Sequence, residues 1–504
     1  MYRFPLSSLF LLVMACGPGI PNAPEDPAPL RDSGVPDDGG IPGEDGGTGD
    51  GDAGTAWDAG AGVDAGAAED GGPAVNCVPY AGDFYAVDAG AALPGEVVRC
   101  APAELEDGGT RFPGRRTWRV AYGTTTLVHT DAGSVERPII ASGLVVIPEG
   151  VPLENRPVLA NTHGTSGLLR QCAPSAWAAL DARVVFQDLA SAAPEAVVVV
   201  PDFPGLGVDV GLRSAEAHRS VVDPLAPWRR IEPLRDIAHP YLSIEGEGRA
   251  TIDLVRAARW LPGAGTGISP RWVALGVSQG GHAALATGEV WSRGYGAETS
   301  LRGVLAGAPG SALEDSTWVI PEVERLLTPM VLAGLSLEYR DLSPFQFLST
   351  QALAGFGQTV GRGCLSGSIV TTWATVMGAY LAPNHPLLRA DPLLDPVARR
   401  ALRENSPGHQ PTLVPIFIGQ TTGDPFVDHR RTARLVELER QTNPGRVTAC
   451  VYEGRNLAAP WTQRAANHDT FSFMFGAANG VCTGPSGQPT TASASDFVAT
   501  SLAP

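Results

Sequence analysis

The chain predicts an α/β fold: a mostly parallel sheet covered by helices on both faces, with a largely helical segment inserted late. Three observations predict it. From about residue 157 onward, apolar runs of strand length alternate with stretches of helical spacing, which implies right-handed crossovers and a parallel sheet. One of these runs ends in Gly276-Val277-Ser278-Gln279-Gly280-Gly281, a glycine-flanked serine set between a strand and a helix. The interval 311–410 then breaks the rhythm with apolar helix-like segments and many prolines, so it reads as a cap inserted between two strands of the sheet.

The elements follow in order. Residues 1–15 carry one arginine, Arg3, and an apolar run from Phe4 to Ala15. That is a signal-peptide core, shorter than the ~20 residues that span a bilayer. It ends in Val13-Met14-Ala15-Cys16, which resembles a bacterial lipobox, so Cys16 is the expected lipidated residue of an exported, envelope-anchored protein. Residues 16–76 are Gly, Asp, Ala and Pro with one aromatic, Trp57. Such a stretch cannot bury enough apolar surface to order itself, and its like charges repel, so it is expected to be a flexible tether.

The body is expected to begin at Cys77. Residues 117–130 and 138–147, rich in Val, Thr and Ile, read as strands joined through Asp131-Ala132-Gly133. Buried strands follow at 157–160 and 196–200, a helix at 251–260, a strand at 272–276 and a helix at 279–290. Further strands are expected at 304–306, 413–419 and 447–452, with a helix at 428–441. The first part of the core is thus 77–310, the cap 311–410 and the second part 411–504.

Composition narrows the chemistry. All 36 basic residues are arginine against 53 acids, a formal charge of −17. Without lysine there is no phosphate-loop lysine, no Schiff base and no Ser–Lys dyad. The acidic balance also argues against nucleic acid as a partner. Residues 1–76 hold thirteen acids and two arginines, a net of −11, which leaves an ordinary −6 for the body. Besides Cys16 there are six cysteines, at 77, 100, 172, 364, 450 and 482. In an exported chain an even count reads as disulfides; none is close-spaced with histidines, so no zinc site is expected.

The catalytic candidates centre on Ser278. Glycines flank it because a nucleophile on a sharp strand-to-helix turn leaves no room for neighbouring side chains. A serine hydroxyl needs a base held by a carboxylate, and in this arrangement the order along the chain is Ser, acid, His. Asp424, in the loop after the 413–419 strand, fits the acid, with Asp428 as runner-up and candidate cap of the next helix. His468, in a loop after the last strand, fits the base; His282 and His429 sit on helices and read as structural. The oxyanion donors are expected at Gln279, by its N–H, and in the loop Asn161-Thr162-His163-Gly164-Thr165. Thr165 is the choice there, by its N–H with its hydroxyl alongside, and His163 shapes the loop.

These motifs together resemble the secretory lipases related to fungal lipase A, a branch of the α/β-hydrolases. The resemblance covers roughly residues 83–485. It rests on Asp83-Phe84-Tyr85, Ser142-Gly143-Leu144-Val145-Val146-Ile147-Pro148, His163-Gly164-Thr165, Asp202-Phe203-Pro204-Gly205-Leu206-Gly207, His239-Pro240-Tyr241-Leu242, the Ser278 turn, the Asp424 loop and His468. It implies an α/β-hydrolase fold and hydrolysis of carboxylic esters, lipids included, by Ser278, His468 and Asp424 without a cofactor. It also implies disulfides Cys172–Cys364 and Cys450–Cys482, which leaves Cys77 with Cys100. A peptidase of the same fold, or a non-catalytic binding protein built on it, are the competing readings.

Overall fold

A computed structural model describes residues 77–87, 92–107, 110–111, 113–130, 132–150, 154–177, 180–181, 193–212, 236–261, 267–315, 324–350, 352–353, 356, 363–365, 388–458, 464–476 and 480–503. The signal segment, Cys16 and the expected tether lie outside the described residues. Among the described residues no helix is long and apolar enough to cross a membrane.

The sheet begins with β1 (Val97–Ala103), β2 (Arg115–Thr130) and β3 (Gly133–Pro148). The parallel core is β4 (Arg156–Thr162), β5 (Val197–Pro201), β6 (Ile268–Val277), β7 (Ser300–Gly307), β8 (Ile416–Thr421) and β9 (Val447–Tyr452). Two short strands, β10 (Gly480–Thr483) and β11 (Pro489–Thr490), close the far edge. The strands lie in the order β1-β2-β3-β5-β4-β6-β7-β8-β9-β10-β11. Pairing is parallel from β5 to β9 and antiparallel at both ends. Every residue of β5, Val-Val-Val-Val-Pro, is buried, as a strand covered on both faces requires.

Helices α1 (Ile244–Ala258) and α2 (Gln279–Ser292) pack on one face, where Ile252, Leu254, Leu285 and Val290 join Val158, Val199 and Trp272. Helix α3 (Glu324–Leu335) and helix α4 (Pro396–Glu404) belong to the 311–410 segment, and α5 (His429–Thr442) follows β8. The opposite face is covered by α6 (Thr470–Met474) and α7 (Ala494–Leu502), whose Phe471, Val498 and Leu502 meet Leu159, Leu275 and Leu305.

Several element boundaries differ from the sequence expectation, and two show their cause. Helix α1 starts seven residues before 251, because Ser243 caps it by accepting the Gly246 N–H. Strand β8 starts at Ile416 and not at 413, since Leu413 turns its N–H to Ser292 Oγ and Pro415 has none to give a ladder.

The 311–410 segment forms its own apolar cluster with loops at the strand ends. Met330, Val331, Leu335, Phe347, Leu348, Ala398 and Leu402 pack with Leu168, Leu206, Tyr241 and Leu242. Its two ends lie side by side, where Leu313 N–H donates to Ser406 Oγ and His409 Nε2 lies 2.8 Å from Glu314 Oε1. The cysteines pair as Cys77–Cys100, Cys172–Cys364 and Cys450–Cys482. The second bond ties the loop after β4 to the 311–410 segment.

Candidate active site

The carboxyl ends of β4, β6, β7, β8 and β9 lie at one edge of the sheet, as the register shows: Thr162 opposes Gly276, Val277 opposes Gly307, and Gly307 opposes Gly419. Residues leaving these strands therefore converge, at the edge where parallel sheets hold their ligands.

Ser278 leaves β6 and enters α2 with φ 63° and ψ −120°, a conformation that costs a non-glycine residue of order 1–3 kcal/mol. The turn is held by the Ser278 N–H donating to Gly307 O, at 2.9 Å, and by Gly310 N–H donating to Ser278 O. The flanking glycines are required by contact. A Cβ at Gly276 would fall 2.3 Å from Thr162 Oγ1, and one at Gly280 would fall 1.9 Å from Thr162 O. The close approach brings the loop after β4 against the nucleophile turn. Gln279 is the first residue of α2, so its N–H has no carbonyl within the helix to meet.

Asp424 and His468 meet across 44 residues of sequence. His468 Nδ1 donates to Asp424 Oδ2 at 2.9 Å and lies 3.1 Å from Oδ1. Asp424 is buried and holds a dense set of donors: Phe426 N–H at 2.8 Å and Val427 N–H at 3.1 Å on Oδ1, and Gln420 Nε2 at 3.3 Å on Oδ2. Burial alone would lower the His468 pKa, but the adjacent Asp424 carboxylate outweighs it and raises the imidazole above its ordinary 6.5. The His468 loop is clamped by its neighbour Asn467, whose side chain accepts the Arg455 N–H and donates to Arg455 O. Phe426 packs on the His468 ring at 4.8 Å between centroids and lines the same cavity as Ser278. Phe426 thus links the Ser278 cavity to the His468–Asp424 pair.

That cavity is walled by Leu242, Leu313, Leu327, Val331 and Val427, with Tyr241, Ser311 and Thr328 as polar points. The buried Ser311 hydroxyl has no hydrogen-bond partner among the described residues, so it is free to meet a bound group.

The other candidates are engaged elsewhere. Asp428 caps α5 through the Arg430 N–H and pairs with the Arg430 guanidinium. His429 is exposed beside it. His163 is buried with its ring between the carbonyls of Gly164 and Asp202, and burial lowers its pKa to about 4. His282 directs Nδ1 at Glu247 Oε2, 2.7 Å away, and Nε2 at Asn405 O, 3.0 Å away. Thr165 lies in the loop after β4 with Oγ1 2.8 Å from the Tyr241 phenol.

Sequence reasoning missed the network behind Ser278. Glu247 is fully buried and accepts from Gln279 Nε2 at 2.8 Å, from His282 Nδ1 and from the Leu242 N–H. Gln279 Nε2 also donates to His239 Nε2, while His239 Nδ1 donates to Pro204 O; burial lowers the His239 pKa to about 3. Glu247 stands between two glycines ahead of the helix expected at 251–260, so the sequence carried no signal for it.

No family model matches the chain. No curated protein matches it either. Solved structures do. The rice cell wall degrading esterase LipA from Xanthomonas oryzae is 18% identical with a TM-score of 0.53, covering 75% of this chain and 96% of its own. Candida antarctica lipase A in its closed state is 18% identical with a TM-score of 0.55, covering 85% of this chain and 94% of its own. At this identity the likeness establishes the architecture, which is the α/β-hydrolase fold.

Proposed function

We propose that the protein hydrolyses carboxylic esters through an acyl-enzyme, with Ser278 as nucleophile, His468 as general base and acid, and Asp424 as the residue that fixes the imidazole. The observation that carries this reading is the strained Ser278 turn lining a cavity with Phe426, whose ring packs on the His468 of a His468–Asp424 pair. A serine strained on a strand-to-helix turn is pushed out toward substrate, and a buried carboxylate beside Nδ1 leaves Nε2 as the proton acceptor.

The steps follow. His468 Nε2 takes the Ser278 proton as Oγ attacks the ester carbonyl, and negative charge collects on the carbonyl oxygen. The N–H groups of Gln279 and Thr165 receive that oxyanion, the first reinforced by the positive end of α2. The tetrahedral intermediate collapses as His468 returns the proton to the departing alcohol. Water, deprotonated by the same nitrogen, then releases the acid. None of these steps calls for a cofactor. The 311–410 segment acts as a cap, and its Leu327 and Val331 shape the acyl pocket. Esterase neighbours and an apolar cavity favour an ester or lipid over a peptide substrate.

We also propose export and anchoring through Cys16. Three disulfides suit an oxidising compartment, and the leader with its terminal cysteine suits a lipoprotein. An unmodified mature N-terminus other than Cys16 would end that proposal.

A serine-directed fluorophosphonate probe tests the catalytic reading. The protein should be labelled, and Ser278→Ala should abolish labelling. Labelling that survives the substitution sinks the assignment, and absence of labelling favours a non-catalytic fold. A panel of p-nitrophenyl esters and peptide amides separates esterase from peptidase.

A further inference from the structure

We propose that Tyr241 is a positioning residue of the oxyanion site, directing the Thr165 hydroxyl so that its hydrogen serves as a side-chain donor beside the two backbone amides. The proposal rests on the ester-hydrolase reading above and deepens it.

The Tyr241 phenol lies 2.8 Å from Thr165 Oγ1, and among the described residues neither oxygen has a second hydrogen-bond partner. Two hydroxyls carry two hydrogens, and their mutual bond uses one. A phenol is the better donor and poorer acceptor, so its hydrogen goes to Thr165 Oγ1 and the threonine hydrogen is left over. Burial holds Tyr241 neutral by pushing its phenol well above the ordinary value, so it remains a donor. Among the described residues the leftover hydrogen has no acceptor, and its partner Tyr241 lines the cavity with Ser278 and Gln279.

The surroundings fix both partners. The loop bearing Thr165 is pinned to the nucleophile turn by Thr162 Oγ1, within 2.8 Å of Leu275 O and 2.7 Å of Gly280 O. Tyr241 is 2% exposed, and the next residue, Leu242, donates its N–H to Glu247 Oε1 at 3.1 Å. The same oxygen accepts from Gln279 Nε2. One buried carboxylate therefore sets the tyrosine segment and the Gln279 donor in register. Orientation of this kind acts on the transition state and leaves ground-state binding alone.

A double-mutant cycle on the full chain tests it, using Tyr241→Phe, Thr165→Val, the two together, and Thr165→Ser. The readouts are kcat and KM on a p-nitrophenyl ester, affinity for an alkyl boronic acid as a tetrahedral analogue, and the thermal midpoint. Thr165→Val should lower kcat on the order of a hundredfold, as loss of one oxyanion donor does, with KM unchanged. Tyr241→Phe should lower kcat about fivefold, the worth of one neutral hydrogen bond. The double variant should lose no more than Thr165→Val alone, since the tyrosine acts only through the threonine. Thr165→Ser, which keeps the hydroxyl, should recover most of what Thr165→Val loses. Boronate affinity should follow kcat while the thermal midpoint does not. Losses that multiply in the double variant overturn the proposal, as does a Tyr241→Phe effect confined to KM and the thermal midpoint. Fluorophosphonate labelling at Ser278 separates the two levels of failure: with it intact, an uncoupled cycle removes only the role of Tyr241. Without it, the hydrolase reading falls and this proposal falls with it.

Discussion

Replacing Asp424 by asparagine should cost kcat on the order of 10⁴-fold, and the structure shows why an isosteric change would do so much. Oδ1 of Asp424 receives two backbone donors, the N–H groups of Phe426 and Val427, at 2.8 and 3.1 Å. Those donors cannot rotate, so the amide oxygen of the variant must stay with them. Its NH₂ then takes the place of Oδ2, 2.9 Å from His468 Nδ1 and 3.3 Å from Gln420 Nε2. A donor now faces a donor. His468 escapes by moving its hydrogen to Nε2, and the ring then presents no lone pair to Ser278. The lost counter-charge further disfavours the imidazolium that forms during attack. Asp428→Asn is the control, because asparagine caps a helix as well as aspartate does, and the site is the cap of α5. It should remain within about twofold of wild type. The assay is kcat on a p-nitrophenyl ester, per active site counted by fluorophosphonate labelling. Retention of activity within about tenfold in Asp424→Asn would refute the tautomer argument, and a loss of orders of magnitude in Asp428→Asn would move the acid to that residue.

Three further outcomes follow from the same structure. The kcat/KM profile should show an acid limb above pH 6.5, because the base must be neutral and Asp424 raises His468 above that value; Asp424→Asn should shift the limb to lower pH, and an unmoved limb would assign it to another group. Burial, with Glu439 adjacent, raises Glu289 from 4.5 to about 8, so the stability its protonated form confers is present below about pH 4.5 and lost as pH rises through about 8. Thermal midpoints should therefore fall across that window, and Glu289→Gln, which keeps the acceptor for the Gly408 N–H, should flatten the fall; parallel curves would remove Glu289 as the cause. Cys172 and Cys364 are 192 residues apart, so replacing both by serine should destabilise the fold by up to about 5 kcal/mol on a chain-entropy estimate, read as a lower denaturant midpoint with a steeper slope, because the unlinked denatured chain exposes more surface.

The parts legible in the sequence are those whose physics is local. β5 is visible as a run of valines because a strand buried on both faces must be apolar at every position. The Ser278 turn is visible because only glycine tolerates carbonyls as close as Thr162 O. The less legible parts depend on partners far away in sequence. β10 and β11 are short strands at the far edge of the sheet with exposed residues such as Val481, and nothing in a four-residue run of which only Cys482 is buried distinguishes them from a loop. The start of α1 was hidden because Glu245, Gly246, Glu247 and Gly248 read as a polar turn. Glu247 is nevertheless fully buried, its charge answered by Gln279 and His282 from a helix more than thirty residues on.

That buried carboxylate also bears on why the proposed base is His468 and not another histidine. His163, His239 and His282 all lie near the strand ends, and proximity alone does not separate them from His468. Hydrogen-bond accounting does. His282 spends both ring nitrogens, on the Glu247 carboxylate and the Asn405 carbonyl. His239 spends both, on Pro204 O and Gln279 Nε2. His163 has its ring between two carbonyls. A general base needs one nitrogen held and the other open. Of the four, His468 alone has Nδ1 fixed by a carboxylate and no protein partner on Nε2 among the described residues. The network behind the nucleophile therefore does two things at once. In the proposed mechanism it registers Gln279 against the oxyanion site, and it removes from competition the histidine one helical turn from Ser278, leaving the proton a single route.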